Sequence, residues 1–259
     1  RMAERTSGQI MNGQYFVIVG LGSVGSNLCY YLNGYNNARF ALVDKDNLTI
    51  DNMGRHLLGF NYIDQRKVDA VSDYLTNYRP DRKVDAVCRN LEEYSIEELN
   101  KASALFLCTG DVMSEQWLLN KIAEGLLTIP TFILWLEPYA VSGIMIYVNP
   151  DDPERLRTII DGVNDGFLDY CLIHRDEYSD GKKLTKKDAG CNGTYAIYSA
   201  NDVTLFLSSM FPYIDSLLST SKETGIYQWV GNIEMAKQRD ITLSENASGH
   251  SKNDVLRIV

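Results

Sequence analysis

The sequence predicts an α/β protein built on an open, mostly parallel sheet with helices on both faces and a long crossover loop. Three observations carry this. A strand, a glycine turn, a helix and a second strand follow one another near the N-terminal end. Strand-length apolar runs then alternate with helix-length segments as far as Val148. Finally, residues 149–190 are polar, rich in Asp, Gly and Lys, and only weakly periodic.

The first unit is the clearest. Tyr15 to Val19 is a short run of β-branched and aromatic residues ending at Gly20, as expected of a buried parallel strand. The glycine turn leads into a helix to about Leu32, and Ala38 to Val43 forms the second strand, ending at Asp44. This is a Rossmann-like βαβ unit of about thirty residues. A helix is predicted over 66–78 and a strand over 84–88. A short helix over 96–101 and a strand over 105–108 follow, then a helix over about 114–127 and strands over 131–136 and 142–148. Beyond the crossover loop come a helix from about Ala200 to Phe211 and late strands at Tyr227–Val230 and Arg239–Leu243. A mobile tail after Glu245 is predicted to end at Val255–Val259.

A length of 259 residues suits one large α/β domain or two small ones. The sequence is divided here as one domain over 1–259. Its nucleotide-binding half covers about 12–148, a crossover loop and cysteine region about 149–199, and a C-terminal part about 200–259. The chain begins at Arg1, which fits either a start at Met2 or a piece cut from a longer protein.

Composition narrows the function. Hydrophobic residues make up 45% and charged residues 23%, with a net charge of −9, and no strong basic patch is present. A nucleic-acid partner is therefore not expected. The longest apolar stretch, Thr131 to Val148, is broken by Glu137 and Pro138, so no membrane span is expected. No signal peptide is recognisable. Five cysteines without a Cys-x-x-Cys pair argue against a standard structural zinc site and suggest a reducing, cytoplasmic setting.

The motif with the strongest chemistry is GLGSVG, spanning Gly20, Gly22 and Gly25. Such a turn brings backbone close to phosphate at a helix N-terminus, where the helix dipole favours negative charge. Asp44, about twenty residues on, stands where an acid can bind ribose hydroxyls. On its own this pattern suits NAD, FAD or ATP. An ordered series then follows: Asp44, Asp46, Asn52, Arg55, Lys67 and, at the end of a later strand, Cys108-Thr-Gly-Asp111. Asparagine, arginine and lysine in this order suit a triphosphate better than a dinucleotide.

With these residues in place the sequence resembles the ubiquitin-activating superfamily that includes the ThiF, MoeB and HesA proteins. That family has an acid-rich strand end, a Ser-Asn-Leu-x-Arg-Gln stretch and a Gly-x-x-Lys-Ala stretch. Here Asp51 replaces the serine, His56 the glutamine and Val68 the alanine, while Asn52, Arg55 and Lys67 match. The resemblance implies an ATP- and Mg²⁺-dependent adenylyltransferase acting on the C-terminal carboxylate of a ubiquitin-like protein. In it Gly20, Gly22, Gly25, Asp44, Asp46, Asn52, Arg55 and Lys67 bind nucleotide, Arg55, Lys67 and Asp111 serve catalysis, and Asp111 binds the metal. Val112 and Gln116 depart from the family's Asn and Arg after that aspartate.

The resemblance further implies a homodimer, and in many members a thioester on a cysteine delivered by a crossover loop. Cys191, flanked by glycines and near Lys186 and Lys187, is the first choice, and Cys171 the second. Cys29 and Cys108 read as core, while Cys88 carries no functional signal. His56 and His174 are acids or bases by residue type alone, with a structural or surface role favoured for each. A faint likeness around Trp229 points to bacterial members that follow a conjugating-enzyme-like domain in antiviral (CBASS-type) systems. The alternatives are a small-substrate or tRNA-modifying adenylating enzyme of the same superfamily, a non-catalytic scaffold member, and an NAD-dependent oxidoreductase.

Overall fold

The computed structural model describes residues 12–164, 167–179, 183–187, 194–220 and 223–259. Strands β1 (Tyr15–Val19), β2 (Arg39–Val43), β3 (Lys83–Val87), β4 (Ala104–Leu107) and β5 (Thr131–Leu136) pair in parallel. Strand β6 (Ser142–Val148) turns back antiparallel on β5. A short hairpin, β7 (Thr185–Lys187) with β8 (Thr194–Ala196), stands apart from the main sheet. Strands β9 (Gly225–Val230) and β10 (Val255–Arg257) extend the main sheet beyond β6, again antiparallel. The eight-stranded order is β10-β9-β6-β5-β4-β1-β2-β3, with the order reversing beside β1. The sheet is thus mixed rather than mostly parallel. After Leu136 the chain doubles back through Pro138–Ala140 instead of crossing over by a helix, and a short return of this kind permits only antiparallel pairing.

Helices cover both faces. Helices α1 (Ser23–Leu32), α2 (Lys67–Tyr78) and, much later, α6 (Ala200–Ser219) pack on one. Helices α3 (Ile96–Leu99), α4 (Val112–Ala123) and α5 (Pro153–Asn164) pack on the other. Alternate strand residues feed the two cores: Phe16 and Ile18 face α1 and α6, whereas Val17 and Val19 face α4. Side by side on the first face lie Phe40, Phe16, Phe106, Phe132 and Tyr147, one from each of five strands, with neighbouring ring centroids 4.7–5.9 Å apart. A last helix, α7 (Ile233–Gln238), follows β9. No helix among the described residues is long and apolar enough to cross a membrane.

Three expectations are corrected. Helix α5 lies inside the stretch read as loop: Leu156, Ile159 and Val163 make a narrow buried stripe on an otherwise polar helix, too sparse to stand out. Helix α6 runs through Pro212 to Ser219, because Ile214 and Leu217 continue its buried stripe and packing outweighs the amide that proline lacks. Residues 239–243 form no strand; they turn after α7, and only Leu243 makes a bridge, to Ile173.

The segment after Cys171 is tied to the sheet by one side chain. Glu137, fully buried at the end of β5, accepts hydrogen bonds from the amides of Leu172 (2.9 Å) and Ile173 (3.0 Å), from Tyr178 Oη (2.8 Å) and from Ser142 Oγ. Burial pushes its carboxyl up in pKa, against these donors.

Candidate functional site

The carboxyl ends of β1, β2, β4 and β5 open into a cleft of about 850 Å³. It lies where strand order reverses, the place at which open α/β sheets bind ligands. The glycine turn forms one wall. Gly20 has φ +82°, and a side chain there would strike the Thr109 backbone at 2.9 Å. At Gly25 an added Cβ would lie 1.9 Å from Gly20 O, so only glycine lets α1 start this close to β1. Gly25 shapes the turn from behind and does not line the cleft, whereas Gly20 and Gly22 do. Gly22 caps α1 without a side-chain hydrogen bond, which leaves the first helical amides to whatever enters.

Asp44, at the end of β2, accepts the Leu21 amide at 2.6 Å and the Asp46 amide at 2.8 Å. It therefore fastens the glycine turn to the second strand. Burial raises its carboxyl pKa, and the Lys67 ammonium opposes that shift. Lys67, nearly buried, sits 3.1 Å from Asp46 and 3.9 Å from Asp44. The sequence reading gave Lys67 to phosphate; in the folded chain its ammonium rests against the two acids at the β2 end.

Asn52 and Arg55 come from the turn between β2 and α2, and both reach the cleft. Asn52 Oδ1 accepts the Thr49 amide (2.9 Å) and hydroxyl (3.2 Å), so this residue also shapes its own 3₁₀ turn. Arg55 donates to Ala196 O and lies over the Tyr198 ring, 5.1 Å from its centroid. Tyr198 in turn meets Ser23 Oγ at 2.8 Å. Residues 196–198 thus form a strap across the cleft from Arg55 to the start of α1.

Asp111 caps α4. Its Oδ2 accepts the Ser114 amide (3.0 Å) and hydroxyl (2.8 Å), so it caps the helix while standing in the cleft wall. Oxygen ligands of this kind fit Mg²⁺, which takes one or two carboxylates and completes its shell from phosphate and water. Among the described residues no group of three or more His, Cys, Asp or Glu is placed to hold a metal, so a cation here would depend on the nucleotide for its remaining ligands.

His56 is structural, as the sequence favoured. Its Nε2 meets Leu21 O at 2.9 Å, its Nδ1 accepts the Leu58 amide at 3.0 Å, and burial lowers its pKa to about 4. His174 caps the turn 175–178 by accepting the Asp176 amide at 3.3 Å. Cys29 and Cys108 are buried, with thiols pushed up in pKa by burial. Cys171 is 1% exposed, and burial and Glu137 push its thiol up as well, which argues against a reactive thiolate there. Cys191 lies outside the described residues.

Among the cleft-lining residues that sequence reasoning passed over are Arg89, Glu115, Trp135 and Tyr198. Glu115 had a readable signal, since it follows Asp111 by four residues and so shares its side of α4.

The fold and cleft define an α/β protein whose ligand crevice lies at the carboxyl ends of its parallel strands. The chain belongs to the ThiF family, whose model matches residues 5–144. No curated protein matches the sequence. Among solved structures, PaaA is similar at 14% identity and a TM-score of 0.57, covering 88% of this chain and 62% of PaaA. E. coli MccB solved with ATP is similar at 12% identity and TM-score 0.57, covering 97% and 66%. E. coli MccB with AMPCPP and MccA gives 12% and 0.54, covering 85% and 61%. The chain therefore spans less than two thirds of these proteins.

Proposed function

We propose that this protein uses ATP to adenylate the carboxylate of a small substrate. In that reaction a carboxylate oxygen attacks the α-phosphorus, the bond to the β-phosphate breaks, and pyrophosphate leaves with the electron pair. The observation that carries the reading is the single cleft that gathers the glycine turn, Asp44, Arg55 and Asp111 in a chain of the ThiF family. The likeness to MccB, solved with ATP and with AMPCPP and MccA, supports a small-substrate reaction over activation of a ubiquitin-like protein.

Each residue's part follows from its chemistry. Gly20, Gly22 and the open amides of α1 receive phosphate, with Gly25 allowing their approach. Asp44 binds ribose, held in place by Lys67 and the Leu21 amide. Arg55 supplies a forked donor to the phosphates. Asn52 and Asp46 shape the wall around them. Asp111 holds Mg²⁺, which when bound offsets charge on the phosphates. Half-buried Trp135, in the wall of the same cleft, offers an apolar surface for the substrate.

The test is ATP–pyrophosphate exchange with a panel of small carboxylates and peptides, and with ubiquitin-like proteins as a separate arm. Exchange stimulated by a small substrate, and lost by at least about a hundredfold in a folded Asp111→Ala variant, is expected. Exchange that requires a ubiquitin-like protein, with a thiol-sensitive adduct abolished by Cys191→Ala, would return the reading to protein activation.

A further inference from the structure

Among the acids that line the cleft, Glu115 is the buried one whose chemistry is unaccounted for. It is 3% exposed, yet its side chain borders the open cleft. The other acids withdrawn from solvent are engaged: Asp44 by two amides and Lys67, Glu137 by four donors. Among the described residues no hydrogen bond or ion pair reaches the Glu115 carboxyl. Its carboxyl oxygens are not sealed from solvent, so they open on the cleft and not on a protein donor, and holding an acid in so withdrawn a position is costly where a helix offers many cheaper residues.

Its surroundings point to a cation as the missing partner. Asp111 lies one turn earlier on the same side of α4, close enough for its charge to act on Glu115. Both hydrogen bonds to Asp111 use Oδ2 alone. On the nucleotide reading given above, two carboxyls then face the region where phosphates and a substrate carboxylate must meet. Lys67, which lines the same cleft, pairs with Asp44 and Asp46 at the β2 end. A hard divalent cation accepts this donor set, two carboxylates with phosphate oxygens and water.

We propose that Glu115 is a second carboxylate ligand, beside Asp111, for the divalent cation that accompanies the nucleotide. This inference rests on the nucleotide reading of the cleft. The site takes Mg²⁺ or Mn²⁺ together with a nucleoside triphosphate, without needing the acyl substrate.

The experiment titrates Mn²⁺ into the full chain with saturating AMPCPP and no acyl substrate, following free Mn²⁺ by electron paramagnetic resonance. Glu115→Gln is expected to weaken Mn²⁺ binding at least about tenfold, with AMPCPP affinity in EDTA unchanged. Glu115→Leu carries the same expectation and serves if the glutamine variant does not fold. Wild-type Mn²⁺ affinity in either folded variant overturns the assignment while leaving the nucleotide reading intact. Failure of the wild type to bind AMPCPP at all overturns both.

Discussion

His56 donates through Nε2 to Leu21 O and accepts the Leu58 amide at Nδ1, which fixes one neutral tautomer. A second proton on Nδ1 would face the Leu58 amide and break that bond. Burial already disfavours the charge, so the folded-state pKa falls from 6.5 to about 4. A depressed histidine pKa contributes stability above the unfolded value, and that contribution is lost as pH falls from 6.5 towards 4. Between pH 7 and pH 4.5 this amounts to roughly 2–3 kcal/mol. Chemical denaturation of His56→Gln should therefore show a smaller pH-dependent loss than the wild type over that interval. Equal losses would mean that His56 protonates freely in the folded chain. The glycine turn is sensitive to this bridge, because Leu21 also donates its amide to Asp44.

Elements are joined in this fold by a few polar staples, and Glu137 is the most heavily used. It links the end of β5 to the segment 172–178, which β7 and β8 follow and from which the strap over the cleft descends. Glu137→Ala leaves three buried donors and the half-buried Tyr178 hydroxyl without an acceptor, at a cost of about 3 kcal/mol or more. Limited proteolysis should then cut within 171–178 under conditions where the wild type resists. An unchanged digestion pattern would show that apolar packing of Leu172 and Ile173 alone secures the segment. At this scale the sequence was most legible where period and punctuation agree: β1, the glycine turn, α1 and β2 were readable from alternating chemistry and the position of Gly20. Helix α5 was not, since three buried residues on a polar helix resemble loop composition. The doubling back of β6 depends on the left-handed backbone at Tyr139 and Ala140, residues whose types do not announce it. The same limit applies to the site. Asp44 and Asp111 stood at strand ends, where function is expected, whereas Glu115 carried only its spacing of four residues from Asp111, and its burial appears once α4 is packed.

For the whole molecule, the antiparallel extension completes a sheet that would otherwise end at β6. Strand β9 contributes Ile226 and Trp229 to the two cores, and its outer edge is covered by β10. Deleting residues 255–259 uncovers that edge, an invitation to intermolecular pairing. Light scattering on the truncated chain should show concentration-dependent association and a lowered Tm. A truncated chain that stays dispersed and equally stable would mean that β10 is dispensable. The net charge of −9 works against such association, and raising the salt concentration should strengthen it.

The same sheet order sets a schedule during synthesis. The parallel strands, the glycine turn and Asp111 all precede Val148, so the cleft's main walls can assemble early. The free edge of β6, by contrast, waits for Gly225 to emerge. At 5–20 residues per second that wait is about 4–15 s. For those seconds a nascent chain with the main walls of its cleft in place carries an open apolar strand, so the growing polypeptide is most in need of a chaperone after its site has been laid down and before its last strands arrive.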